Sequence, residues 1–310
     1  MAGVPAGVQT MGGLPIALFI KGLDEVFLTG VTSVESLTDR ILEVEPTKLI
    51  QNKEYSMAGL EDPDDWNMDG DAFPNSTMNP RYETTITQAG YALQYLITFK
   101  MQKYDLHKIV TKGIKDLGVK MKLAREAKGA ALLSGGFTTY WNTTAAAYLF
   151  SASHALDTRS LTTTTFTNLV SGGLSVSTLK TGILYLEQTP DDMGKMMRIR
   201  PRRLIVPPAL KATAQQVLGQ GIMYASQQSD YNKNLFSQYN LELVVWPELQ
   251  DVSSTAWFLQ GDKHGLGMKE SIGISQDTYE YPNKTIGYRS WGALKCFARD
   301  PRGIVGSLGT

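Results

Sequence analysis

The stretch KYDLHKIVTKGIKDLGVKMKLAREAKGAALLSGG, residues 103–136, constrains the fold most. Apolar residues recur at Leu106, Ile109 and Val110, Ile114, Leu117, Met121, Ala124, Ala127 and Ala131. This three-or-four spacing predicts an amphipathic helix over 103–134, and Gly135-Gly136 supplies its stop. About thirty residues at ~1.5 Å each make a rod of roughly 45 Å, long for a globular domain. Gly113 and Gly118 each weaken the helix, which predicts a bend. Its polar side carries Lys108, Lys112, Lys115, Lys122, Arg125 and Lys128, by default a solvated face.

The segments around this rod are of other kinds. Residues 1–30 are rich in Gly, Pro and small apolar residues, and MAGVPAGVQTMGGLP has neither helix nor strand period. It reads as an arm, which needs a surface to offset its ordering entropy. VESLTDRILEV (34–44) is a short helix candidate. Residues 51–83 hold three prolines, Asp/Asn-Gly signals and a dense acidic run, and read as a long loop or extended hairpin. TITQAGYALQYLITF (85–99) is a strand candidate, and 137–173, with Thr162–Thr165, is loop-like.

Residues 174–267 read as a small α/β module. It has a helix at 174–189, a strand RRLIVP at 202–207, a helix entered through Pro208, and strands in 239–249 and 255–262. Two alternating stretches then flank Pro282-Asn283 and predict an antiparallel ribbon. The fold class is α+β.

Composition excludes some functions. Lys+Arg and Asp+Glu number 30 each, so the chain lacks the basic excess of a dedicated nucleic-acid binder. Zero net charge also removes a barrier to self-association. Cys296 is the only cysteine, which rules out an internal disulfide and any zinc site built on paired cysteines. No apolar run reaches membrane-spanning length; with no basic n-region and LPIALFI too short for an h-region, no cleavable signal is expected.

Candidate chemistry is sparse. SASHALD (151–157) puts serines, His154 and Asp157 close together, but a catalytic triad converges from distant parts of a chain. Ser153 and His154 are adjacent and point apart. No serine has the G-x-S-x-G elbow. His107 and His264 are not obvious partners, so His154 reads as a turn or hydrogen-bonding residue. Asp65-Trp-Asn67-Met-Asp69-Gly70 matches half of a calcium loop, yet its twelfth position is Ser76 rather than Glu. RIRPRR gathers Arg198, Arg200, Arg202 and Arg203, for phosphate, for an acidic neighbour or simply for water. No nucleotide-binding, metalloprotease or paired-Cys motif is present, so no catalytic, cofactor or metal residue is assigned and the chain reads as structural.

The order arm, extended loop, long helix, α/β insertion and ribbon resembles the major capsid proteins of tailed bacteriophages with the HK97-type fold. The words AREAKGAALLSGG, LFSASHAL, LIVPPAL, LELVVWPEL and YRSWGALKCFARDPRGIVG are similar to the Mu-like head subunit group.

The resemblance implies an N-arm at 1–50 and an E-loop at 51–83 reaching over an adjacent copy. It implies a P-domain at 84–173 with its spine helix at 103–134, an A-domain at 174–267, and a P-domain ribbon with C-terminal return at 268–310. It also implies self-assembly as pentamers and hexamers in an icosahedral shell around double-stranded DNA, in a virion assembled in the host cytoplasm. Expected partners are portal, scaffolding or decoration proteins, with no membrane. Expected intersubunit contacts are Lys53, Trp66, Arg198, Arg200, Arg202 and Arg203. Lys53 is the only lysine in 51–83 and has no assignable Asn or Glu partner for a crosslink, so an uncrosslinked shell is expected. The alternatives are an encapsulin-type compartment holding a cargo enzyme, and a hydrolase using His154.

Overall fold

The computed structural model describes residues 10–11, 14–57, 59–60, 63, 72–73, 75–78, 80–104, 108–142, 147–156, 165–192, 194–219 and 239–309. The pair β1 (Thr10–Met11) and β2 (Leu14–Pro15) leads into α1 (Ile16–Thr32), α2 (Thr38–Ile41) and β3 (Glu43–Pro46). Next come β4 (Gln51–Met57), β5 (Pro80–Thr87), β6 (Ala89–Ile97), α3 (Phe99–Lys103) and the long α4 (Ile109–Ser134). Short strands β7 (Tyr140–Asn142), β8 (Ala147–Tyr148), β9 (His154–Ala155) and β10 (Thr165–Phe166) precede α5 (Val176–Glu187). The rest comprises β11 (Pro201–Val206), α6 (Lys211–Val217), β12 (Glu242–Val245), β13 (Trp257–Gly261), β14 (Leu266–Glu280), β15 (Ile286–Ala298) and β16 (Ile304–Ser307).

The chain divides into two compact units, each built from segments distant in sequence. One takes residues 1–50, 87–129 and 268–295; the other takes 51–86, 130–267 and 296–310.

In the first unit a sheet of order β3-β14-β15-β6 packs with α1 and α4. β14 and β15 form the expected ribbon, and a connection as short as 281–285 makes them antiparallel. Within that turn Tyr281 N donates to Thr285 O at 2.8 Å, and Lys284 takes φ +63°. The core gathers Leu23 and Phe27 of α1, Val110, Ile114, Leu117 and Met121 of α4, and Ile97, Ile286 and Tyr288 of the sheet. The Tyr288 hydroxyl donates to Asp24 Oδ1 at 2.6 Å.

Sequence alone predicts no helix within 1–30, and the lack of period there belongs to residues 1–15 alone. Residues 16–32 form a helix whose Phe27 is fully buried. Leu23, Phe27 and Val31 have the spacing that buries one helical face. The α1–α4 crossing also gives α4 a reason for its glycines. A Cβ on Gly118 would collide with Phe27 O, and one on Gly30 with Lys115 O. A Cβ on Gly113 would fall 2.5 Å from Tyr95 Cζ. The helix accepts their propensity cost because only glycine lets these backbones and the ring approach so closely.

Polar contacts fix the loop after α1. Glu126, 1% exposed, accepts from Thr38 N and Thr38 Oγ1, both at 2.7 Å, and from Ser36 Oγ at 2.9 Å. Beside it Arg125 Nη2 donates to Asp39 Oδ1 at 2.5 Å and Arg125 Nε to Glu270 Oε1 at 3.3 Å. Burial alone would raise the Asp39 carboxyl. Hydrogen bonds from Arg125 and Ser36, with the charges of Arg125 and Lys122, outweigh it and hold that carboxyl below its usual value.

Two further boundaries differ from expectation. α4 begins at Ile109 rather than 103, because Lys108 takes φ +54°, outside the helical region; α3, capped by Thr98, occupies 99–103 instead. The 34–44 helix shrinks to Thr38–Ile41, and the residues after it extend as β3.

In the second unit β12-β11-β13-β16 form the main sheet. β11 runs parallel to β12 and antiparallel to β13, and β13 antiparallel to β16. All five residues of β13 are buried. α5 is held by a reciprocal Ser175–Thr178 capping box and packs Leu179, Ile183 and Leu186 into a core with Leu204, Val206, Trp257, Leu259 and Val305. Phe137, Phe150 and Phe258 stack nearby at centroid distances of 4.6, 5.4 and 5.9 Å. Gly306 makes room for them, since a Cβ there would lie 2.8 Å from the Phe150 ring. β4 and β5 pair as a two-stranded sheet, as the hairpin reading of 51–83 requires.

Two glycines of the first unit give opposite expectations. Gly118→Ala lowers the unfolding free energy by about 1–3 kcal/mol, the usual cost of overpacking. Gly22→Ala, on an open face of α1 with nothing within 4 Å, raises it by about 0.5–1 kcal/mol. Urea titration of both variants checks the pair.

Candidate functional site

His154 joins the described part of SASHALD, residues 151–156, to a buried hydrogen-bonded knot centred on Asn168. His154 is 3% exposed at the start of β9. Asn168 donates through Nδ2 to Leu149 O at 2.8 Å and to Pro301 O at 2.9 Å. Its Oδ1 therefore faces donors, accepting from Ser151 N at 2.9 Å and from His154 Nε2 at 3.0 Å. This arrangement selects the tautomer with the proton on Nε2. The imidazole stacks on Phe166 at 4.9 Å, and the Arg302 guanidinium lies 5.6 Å from the same ring. Arg302 Nη2 in turn donates to Asp192 Oδ1 at 2.5 Å and Nη1 to Asp300 Oδ2 at 3.3 Å. The Ser151 hydroxyl donates to Ser153 O and accepts from Ser153 N, each at 3.2 Å. The imidazole thus meets an amide and a phenyl ring, which is not the geometry of an activated nucleophile. Asp157 and His107 lie outside the described residues.

Burial pushes the His154 imidazole below its ordinary value, against the pull of Asn168 and Asp300.

The arginine cluster is split by the strand it enters. Side chains alternate through 198–203: Ile199 and Pro201 are buried, while Arg198, Arg200 and Arg202 are exposed. Those three guanidinium groups pair with no described acid. Arg198 takes φ +53°, and Arg200 N donates to Asp262 Oδ1 at 2.9 Å. Arg203 is withdrawn from the group. Its Nε donates to Glu242 Oε2 at 2.8 Å and its Nη1 to Gln260 Oε1 at 3.2 Å, tying β11 to both neighbouring strands.

Lys53 sits on β4 and forms an ion pair with Glu83 of β5, which raises its ammonium above the usual value. Trp66 and the half calcium loop Asp65–Asp69 lie outside the described residues. Among the described residues no group of three or more His, Cys, Asp or Glu is placed to hold a metal ion. No described helix is long and apolar enough to cross a membrane.

Residues 81–307 match the model of a family described as phage capsid protein. The chain belongs to the phage capsid protein family. Solved structures share its fold at low identity. The mature capsid of bacteriophage PhiM1 is 10% identical at TM-score 0.58, over 89% of this chain and 87% of that one. The head of Helicobacter pylori bacteriophage KHP40 is 8% identical at TM-score 0.53, over 88% and 91%. A virus-like particle from Pyrococcus furiosus is 10% identical at TM-score 0.50, over 93% and 98%. No curated protein sequence matches it significantly. This capsid protein is thus a shell subunit with the α+β, HK97-type fold of tailed-phage heads.

The capsid protein's knot predicts a pH dependence. Unfolded His154 titrates near 6.5, and folded His154 below that. Between the two values the unfolded chain binds more protons, so the contribution of His154 is complete above about pH 6.5 and is lost as pH falls. His154→Gln should therefore flatten the decline in unfolding free energy between pH 7.5 and pH 5. Asn168→Leu, which strands two buried carbonyls and an amide, should cost at least about 2 kcal/mol at any pH.

Proposed function

We propose that this capsid protein assembles as pentamers and hexamers into the closed icosahedral shell that encloses the double-stranded DNA of a tailed phage. The family match across 81–307 carries the reading. β4 and β5 form the base of an E-loop that reaches over the next copy, residues before α1 serve as the N-arm, and the unit holding β11–β13 supplies the axial contacts. Exposed Arg198, Arg200 and Arg202 meet either a neighbouring copy or DNA phosphate, and Trp66 packs at a subunit boundary. Contacts with DNA are sequence-blind and weaken with salt. Portal and scaffolding or decoration proteins complete a head assembled in the host cytoplasm. The shell is uncrosslinked, Lys53 being committed to Glu83, and the protein is not an enzyme.

Negative-stain electron microscopy of the purified protein, with its nuclease-protected contents, tests this reading. Closed shells protecting double-stranded DNA, produced with the other head components present, are expected. Shells holding a protein cargo would favour the compartment reading, and a stable monomer would sink both. A serine-reactive phosphonate should label no residue stoichiometrically. The triple variant Arg198→Glu/Arg200→Glu/Arg202→Glu should fold but stop at small oligomers, read by sedimentation velocity. If its shells are normal, the three arginines have no part between subunits.

A further inference from the structure

The sheet of the first unit, β3-β14-β15-β6, has two unlike edges. β3 is four residues, EVEP, with Glu43, Glu45 and Pro46. Shortness, charge and proline are the features that stop an edge from pairing with another chain. β6 is nine residues, AGYALQYLI, without a charge or a proline. It pairs with β15 along its whole length without a register shift, from Ile97 opposite Ile286 to Ala89 opposite Leu294. Its other side meets no strand among the described residues. Six of its nine residues are exposed, Leu93 at 47% and Leu96 at 50% among them. A long, unbroken, uncharged edge is a template for a further strand.

The pattern of β6 fits its own copy. Side chains alternate between the two faces of a strand. Tyr91, Leu93 and Tyr95 share the face toward α4: the Tyr95 ring lies against Gly113, and the Tyr91 ring lies 5.5 Å from Lys128 Nζ. Leu93, between them, stays half exposed, so α4 leaves the strand edge open there. Gln94 lies on the other face and donates to the Tyr281 hydroxyl. Antiparallel strands related by a twofold axis keep their faces, so only residues of the same face stand opposite each other. Centred on Leu93, such a pairing sets Leu93 against Leu93 and Tyr91 of each copy against Tyr95 of the other. It is also the register that uses the whole strand. Centring on Ala92 or Gln94 shortens the ladder and sets every tyrosine against a non-aromatic residue, losing the favourable aromatic pairs. Two uncharged edges meet without repulsion, whereas a charged strand would find no counter-charge on β6.

We infer that the open edge of β6 is a twofold contact between two copies of this chain, an antiparallel strand pair centred on Leu93 that joins their two sheets into one. The inference rests on the shell reading for its setting. Adjacent members of a five- or six-membered ring are not related by a twofold axis, so this contact joins one ring to the next.

Changes at one position test the pairing. Leu93→Lys and Leu93→Glu each set like charges face to face across the axis. Each alone should fold, as circular dichroism checks, yet lose at least about tenfold in shell yield while free rings accumulate. An equimolar mixture of the two should restore shells in part, because lysine then stands opposite glutamate. Leu93→Cys gives an independent readout. Directly opposite α-carbons lie ~4.5–5.5 Å apart, within disulfide reach, so oxidised shells of this variant should yield covalent dimers. Gln94→Cys stands opposite Ala92 and should not link to itself. Cys296 is buried and should give no background. Normal shells from Leu93→Lys, no rescue in the mixture, or no Leu93→Cys dimer from intact shells overturns the inference. Equal linking by Gln94→Cys overturns it too. If the unaltered chain forms no shells but Leu93→Cys still dimerises, the shell reading fails and the strand pair stands. Shells without that dimer are the reverse result.

Discussion

The backbone contact between α1 and α4 is the constraint around which the first unit is organised. Gly30 and Gly118 remove both Cβ atoms from the crossing, so the helices meet main chain to main chain. Phe27 can then reach Tyr288, 5.8 Å away between ring centroids. The Asp24 carboxylate accepts from the same tyrosine, and together with burial it raises that phenol's pKa. About two turns beyond the crossing, Arg125 and Glu126 take up polar groups of residues 36–39. A buried carboxylate is tolerable only with its oxygens satisfied, and here three donors surround it. Hydrophobic contact and buried polar pairing thus specify the same position for α1.

The second unit solves a comparable problem differently. Its strand β13 is buried along its whole length, and α5 covers the core through Leu179, Ile183 and Leu186. The segments 149–156 and 165–170 are joined by one amide: Asn168 uses both ends, reaching Leu149, Pro301, Ser151 and His154. Phe166 meets both an imidazole and a guanidinium, and Asp192 and Asp300 pair with the latter. A residue cluster that looks catalytic in one dimension is a fastening in three.

Elements whose signals are local were legible in the sequence. The ribbon, the body of α4, the helix α5 and the strand pattern of 202–207 all follow from local pattern, while the Ser175–Thr178 cap was not read. What else escaped depends on distant partners. Gly113 and Gly118 read as weak points of a helix because their reason lies on Tyr95 and on α1. The helix at 16–32 was hidden by grouping it with the Gly- and Pro-rich run before it, although Leu23, Phe27 and Val31 carry its period. Arg203 looked like one of four equivalent arginines; only the register of β11 against β12 and β13 shows it facing Glu242 and Gln260.

The hydrogen bond from Tyr288 to Asp24 spans 264 positions of sequence. At about 5–20 residues per second of synthesis, the ribosome adds Tyr288 on the order of 10–50 s after it has added Asp24. Throughout that interval α1 has been made while the strand that completes its pocket has not. Until then Leu23 and Phe27 have only the earlier-made members of the same core, Ile97 of β6 and the apolar face of α4. Both sides of the glycine crossing are thus made within the first 118 residues, whereas the tyrosine that closes the pocket is among the last parts of the chain to be made.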